Sequence, residues 1–241
     1  MNRFVNTLLL FILIPTMFLA IVVGFDITLA FLKKYYITLT LESDGTFSTS
    51  VTGNTVRMLP YQLEIFLGLG LLVFIINLRR SIRRWMGMRI VSRTEKFKWN
   101  APVSAARKKR VLTYLTMEGL VFAFVGIALY ILTPFAWMPA LGYGFVAIDN
   151  LIFGIVGSSK NLFRIGLSSK ALIVADREVT LLYFTGLRKV SVHQQSIYFD
   201  YIKNLQLSFP SNCIQDENRE TFMRLLEEQM DPDKVYFSKK L

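Results

Sequence analysis

Four stretches of this chain, Phe4 to Phe25, Tyr61 to Leu78, Val111 to Thr133 and Trp137 to Val156, are each close to 20 residues long and almost wholly apolar. A hydrocarbon core of about 30 Å takes about 20 helical residues at about 1.5 Å each. Backbone groups there must be satisfied within the segment, so each run is expected to be a helix. Hydrophobic types make up 53% of the 241 residues, more than one soluble domain usually carries. The sequence predicts a polytopic α-helical membrane protein with four transmembrane helices. The first run follows Arg3 as a signal peptide would, but it is too long for an h-region and lacks a small-x-small cleavage site, which reads as a retained anchor.

Between the second and third runs, residues 79–110 hold twelve bases (Arg79, Arg80, Arg83, Arg84, Arg89, Arg93, Lys96, Lys98, Arg107, Lys108, Lys109, Arg110) against one acid, Glu95. This segment equals the whole formal net charge of +11. Clustered Lys and Arg are retained on the cytoplasmic face, which places both termini and residues 79–110 inside and Lys33 to Pro60 outside. The charge flanks membrane runs and no nucleic-acid-binding motif accompanies it, so no nucleic-acid partner is expected. Arg79, Arg80, Arg83, Arg84, Trp85 and Arg89, with interleaved Ile82, Met86 and Ile90, are expected to lie against anionic lipid headgroups. Topology marking by a solvated linker is the plainer account of the same residues, and a protein contact is the third. Asn100-Ala101-Pro102 should break the helix.

On the outer side, Tyr35 to Leu41 and Thr46 to Val51 alternate around Ser43-Asp44-Gly45, predicting a short β-hairpin within residues 33–60. Pro134 to Pro139 should turn the third helix tightly into the fourth. Gly68 with Gly70, Gly119 with Ala123, and Gly154 with Ser158 offer close helix approach, within the chain or against a partner protein, a homo-oligomer included.

A carboxylate in hydrocarbon costs about 2.5 to 3.5 kcal/mol unless paired, hydrated or protonated. Glu64, Glu118 and Asp149, the last followed by Asn150, are therefore the candidate polar intramembrane contacts. Glu118 and Asp149 fall at similar depth on neighbouring antiparallel helices and should share a proton or meet a cation. Snorkelling toward the interface, with a base such as Arg110 nearby, is the structural alternative.

From residue 158 the texture changes to short alternating segments: Phe163 to Leu167, Ala171 to Ala175, Val179 to Phe184, Lys189 to Val192, Ser196 to Tyr201 and Asn204 to Phe209 read as strands. Asp176-Arg177-Glu178 and Thr185-Gly186-Leu187 are turns. A helix opens near Asp216 with Phe222, Leu225, Leu226 and Met230 on one face. The expected organisation is a four-helix membrane region over residues 1–157 and a cytosolic α+β domain over residues 158–241, a small antiparallel sheet closed by one helix.

The ending Leu205-Gln206-Leu207-Ser208-Phe209-Pro210, then Ile214 and the helix Arg219-Glu220-Thr221-Phe222-Met223-Arg224-Leu225-Leu226, resembles the bacterial PH-like domains of the YcxB kind. Those domains are also joined to membrane helices, and their last strand leads through a proline-containing turn into a helix ending Phe-x-x-Leu-Leu. The resemblance spans roughly the last third of the chain, with fewer clear strands before Ala171 than a full barrel needs. It implies a non-catalytic interaction module. It carries over no headgroup site, since residues 158–241 hold twelve bases against ten acids with no matching basic cluster.

One histidine, His193, and one cysteine, Cys213, exclude an internal disulfide and ordinary multi-histidine metal or haem sites. No phosphate loop or nucleophile triad can be assembled, so neither catalysis nor a cofactor is expected. The functional expectation is a non-catalytic inner-membrane protein that recognises or regulates a membrane-protein partner. Immunity against a pore-forming bacterial toxin is its specific form. The alternative is a small transporter, channel or membrane enzyme-complex subunit using Glu118 and Asp149.

Overall fold

The structure is a computed structural model describing residues 2–35, 38–41, 47–50, 61–193, 196–202, 205–231 and 235–239. It divides into two compact units, Met1–Leu78 with Leu120–Ala147, and Arg79–Gly119 with Ile148–Leu241. Four helices are long and apolar enough to cross a membrane: α1 (Asn2–Tyr35), α2 (Gln62–Val91), α3 (Ala105–Leu132) and α4 (Trp137–Ser159). Each outruns its apolar stretch. The 30 residues of α2 rise about 45 Å and carry the helix through Arg79–Arg84 to Val91. α3 starts ahead of Val111, where the Ser104 hydroxyl accepts from the Arg107 N–H and caps it.

In the first unit, β1 (Thr38–Leu41) and β2 (Phe47–Ser50) pair antiparallel with Leu41 opposite Phe47, giving the expected hairpin strands. The expected turn residues Ser43, Asp44 and Gly45 lie outside the described residues. The α3–α4 turn is tighter than expected. A 3₁₀ turn, Pro134–Ala136, does the reversal, while Pro139 falls in the first turn of α4, where a missing N–H breaks no helical hydrogen bond. Leu9, Ile12, Phe66, Val73, Leu129 and Tyr143 are among the core residues here. Gly70 is required by contact, since a Cβ there would lie 2.5 Å from the Pro139 backbone nitrogen, whereas one at Gly68 would meet open space.

The second unit holds two four-stranded sheets rather than one small sheet. One has the order β3-β4-β5-β6 (Trp99–Pro102, Arg164–Leu167, Ala171–Ala175, Val179–Tyr183). The other is β10-β7-β8-β9 (Tyr236–Lys239, Leu187–Val192, Ser196–Tyr201, Gln206–Pro210). β3 arises where only a break was expected. It is an edge strand pairing Trp99 with Leu167 and Pro102 with Arg164, and an edge tolerates proline. The α3–α4 hairpin is thus inserted, in sequence, between two adjacent strands. The sheets are antiparallel except at β10, which runs parallel to β7 and corrects the fully antiparallel expectation.

One core unites these sheets with helix ends of the same unit, including Met88, Val111, Leu115 and Phe153 alongside Ile165, Leu172 and Val190. α5 (Asp216–Glu228) buries Phe222 and Leu226, with the Phe222 ring 5.0 Å from Trp99. Residues 79–110 are therefore packed into the unit that carries the sheets. Asn100 helps join them, donating to the Val91 carbonyl at the end of α2 and accepting from Arg164 of β4.

Candidate functional site

Along α2, Phe66, Gly70, Val73, Asn77, Arg80, Arg84, Met88 and Val91 recur at spacings of three and four, and every one is buried. That stripe is one helical face, and it carries two arginines inward. Arg84 is 1% exposed. Its guanidinium donates to Asn150 Oδ1 at 2.8 Å and to the Asp149 carboxylate, and lies 4.7 Å over the Phe153 ring. Asp149 also accepts from Ser81 Oγ at 2.7 Å and from the Trp85 indole N–H at 3.0 Å.

Arg80, 7% exposed, bridges two acids, Glu118 at 2.7 Å and Glu178 at 2.8 Å. Glu118 receives a second guanidinium, Arg177, at 2.7 Å, and Arg177 lies over the Tyr114 ring. Both Arg107 Nε and Nη2 donate to Asp176 Oδ2, at 2.9 and 2.6 Å, while Asp176 Oδ1 accepts from the Glu178 N–H across the turn. All three charged residues of the β5–β6 turn are thus bound to α2 or α3. At Gly87 an added Cβ would fall 1.9 Å from Val179 Cγ2, so glycine lets α2 approach the first residue of β6.

Four arginines (Arg80, Arg84, Arg107, Arg177) meet four acids (Glu118, Asp149, Asp176, Glu178), so the cluster is neutral. Pairing offsets the desolvation cost that any one of these charges would carry alone. The capacity left over is donor: Arg80 Nη2, Arg84 Nε, Asn150 Nδ2 and Arg177 Nε have no acceptor among the described residues.

Of the sequence-derived contacts, Glu118, Asp149 and Asn150 lie in this cluster, and Glu64 is exposed in the first turn of α2, in the other unit. Glu118 and Asp149 do not rely on each other or on exposed Arg110 but have arginine partners of their own. The expected headgroup set needs correction: Arg80 and Arg84 turn inward along the buried stripe, and the Trp85 N–H is taken by Asp149. Arg79 and Arg89 remain exposed, and Arg83 is half-buried. Sequence reasoning missed Arg107, Asp176, Arg177 and Glu178. The stripe in α2 was the available signal for Arg80 and Arg84, whereas the turn residues had only their mixed charge.

Elsewhere in this unit, burial pushes the Cys213 thiol up to about 11 and raises the Tyr201 hydroxyl, which donates to the Tyr183 carbonyl. Both stay protonated at neutral pH and supply neither thiolate nor phenolate. Exposed His193 stacks edge-on against Tyr198. Among the described residues no group of three His, Cys, Asp or Glu could hold a metal ion. No family model, curated protein or solved structure matches the chain, which leaves the residues themselves to indicate what it does.

Proposed function

We propose that this chain is a non-catalytic membrane-integral binding protein whose helices dock a membrane-protein partner and whose β region, a PH-like interaction module on the cytoplasmic side of a bacterial inner membrane, recognises or regulates that partner. The observation carrying this reading is the double engagement of Arg80 and Glu118. Through them the β5–β6 turn is tied to α2 and α3 by ion pairs, so a displacement of either helix is passed to the sheet. A dehydrated cation is held by oxygen acceptors. Here both oxygens of each carboxylate are already hydrogen-bonded, Glu118 to Arg80 and Arg177 and Asp149 to Arg84, Ser81 and Trp85, and the unpartnered polar atoms of the cluster are donors, which do not coordinate cations. Capture of a pore-forming toxin, an immunity role, is the specific form of this function to test first.

The test is affinity purification of the tagged full chain from its native membrane in mild detergent, beside flux measurements on the purified chain in liposomes. A stoichiometric membrane-protein companion, reduced in Glu118→Gln, with proton and potassium flux no greater than in empty liposomes, is the expected result. Recovery of the chain alone, or flux that Glu118→Gln and Asp149→Asn abolish, overturns it.

A further inference from the structure

The face of α2 opposite the buried arginines has its own pattern. Met86, Arg89 and Ile90 stand at i, i+3 and i+4 on α2, Arg93 follows in the turn just past its end at Val91, and all four are exposed, with Ile90 at 48% and Met86 at 57%. Lys96, from the 3₁₀ turn Thr94–Lys96, joins them. Two adjoining clefts share Met86 and Arg89. One, of about 390 Å³, is lined by Met86, Arg89, Ile90, Arg93 and Lys96. The other, of about 360 Å³, is lined by Trp85, Met86, Met88, Arg89, Ser92 and Leu162. The first is rich in cations and the second is chiefly apolar.

No carboxylate lines either cleft, and among the described residues no acid pairs with Arg89, Arg93 or Lys96. This contrasts with Arg80 and Arg84 on the same helix, whose charge is spent internally. The level along the helix also matters. About 20 residues counted from Leu63 reach Ile82, so Met86 to Ile90 fall about 6 to 12 Å past a hydrocarbon core of about 30 Å, in the headgroup layer.

We infer that these two clefts form one binding site for an anionic phospholipid, with the headgroup phosphate held by Arg89, Arg93 and Lys96 and the start of an acyl chain laid along Met86, Met88, Trp85 and Leu162. Guanidinium groups match phosphate oxygens with paired donors, and the lysine adds a mobile point charge. An amphipathic ligand fits because the basic and apolar clefts share a border, whereas a soluble anion would use only the first. The site uses none of the paired arginines of the neutral cluster, adjoins it only through the Trp85 ring, and stands whether or not the partner-binding reading holds.

The experiment is native mass spectrometry of the full-length chain in detergent, titrated with dioleoyl phosphatidylglycerol, dioleoyl phosphatidylcholine, and lipid-free glycerophosphoglycerol. A cation near an anionic headgroup strengthens binding about fivefold, so phosphatidylglycerol should bind at least about tenfold more tightly than phosphatidylcholine. The triple variant R89Q/R93Q/K96Q should abolish that preference, and the charge-matched control K109Q/K160Q/R188Q should keep it. Glycerophosphoglycerol should bind at least about tenfold more weakly than the intact lipid. Equal binding of the two lipids by the unaltered chain overturns the site without reference to any variant. So does an unchanged preference in the triple variant, and equal binding of the lipid-free headgroup overturns the role of the apolar cleft.

Discussion

In the unit formed by Met1–Leu78 and Leu120–Ala147, helices meet through apolar side chains and glycine, and buried Thr16 and Asn77 donate to carbonyls of their own helix, at Ile12 and Val73. In the unit formed by Arg79–Gly119 and Ile148–Leu241, α2, α3 and α4 continue but are joined by guanidinium–carboxylate pairs and by a core shared with two sheets. The contrast follows from what each must satisfy. Helices long and apolar enough to cross a membrane would find no hydrophobic drive for association in lipid, where close packing and self-contained hydrogen bonds hold them together. In the second unit directional ion pairs join the β5–β6 turn to α2 and α3, although a neutral apolar replacement can be equally stable.

The sharpest way to break this contrast is Arg84→Met, which leaves Asp149 without its cation in a buried site. A loss of about 3 to 5 kcal/mol is expected, read as the unfolding midpoint in detergent. Arg84→Met combined with Asp149→Leu should restore most of it. A single variant as stable as the parent would show that the pair does not hold this unit together.

Glycine packing in the other unit is tested at two neighbouring positions with opposite signs. Gly70→Ala should cost about 1 to 3 kcal/mol by driving a Cβ into the Met138–Pro139 backbone. Gly68→Ala, facing open space, should stabilise by up to about 1 kcal/mol through helix propensity. Equal effects at both would remove the packing argument.

A smaller effect is expected where α4 hands over to β4. Asn161 adopts φ 49°, and Leu162 N–H donates to the Gly157 carbonyl at 2.9 Å, a left-handed helix ending. Asn161→Ala should lose about 1 to 2 kcal/mol in thermal melts, and Asn161→Gly much less.

At neutral pH the smallest change concerns Cys213. Its thiol, raised from 9.0 to about 11 by burial, binds its proton more tightly in the folded state. Its contribution to stability is therefore complete below about pH 9 and lost as pH rises toward 11. Maleimide labelling at pH 8 should be slow in the folded chain and fast in denaturant. Fast labelling of the folded chain would show the thiol to be open.

Much of the architecture was legible in the sequence because periodicity and length carry it. The four long apolar runs, the alternating stretches of β4 to β9 and the amphipathic face of α5 stand close to where their patterns lie. β3 and β10 were not legible. Four residues such as Trp99-Asn100-Ala101-Pro102 hold no pattern of their own, and they are a strand because Gly166 and its neighbours lie alongside to accept the pairing. For the polar cluster, Glu118 and Asp149 stood out as acids in apolar runs, but their partners did not. Arg177 lies 59 residues from Glu118, and Arg84 lies 65 from Asp149.

Taken alone, the order of residues determined which segments are apolar enough for a bilayer, where positive charge concentrates, and which stretches alternate like strands, since these are local properties of consecutive side chains. Only the folded chain decided which arginines of α2 are structural and which remain available. Arg80 and Arg84 differ from Arg79 and Arg89 by rotation about a single helix axis. The direction that rotation takes is set by Glu118, Asp149 and Glu178, brought in from distant parts of the chain.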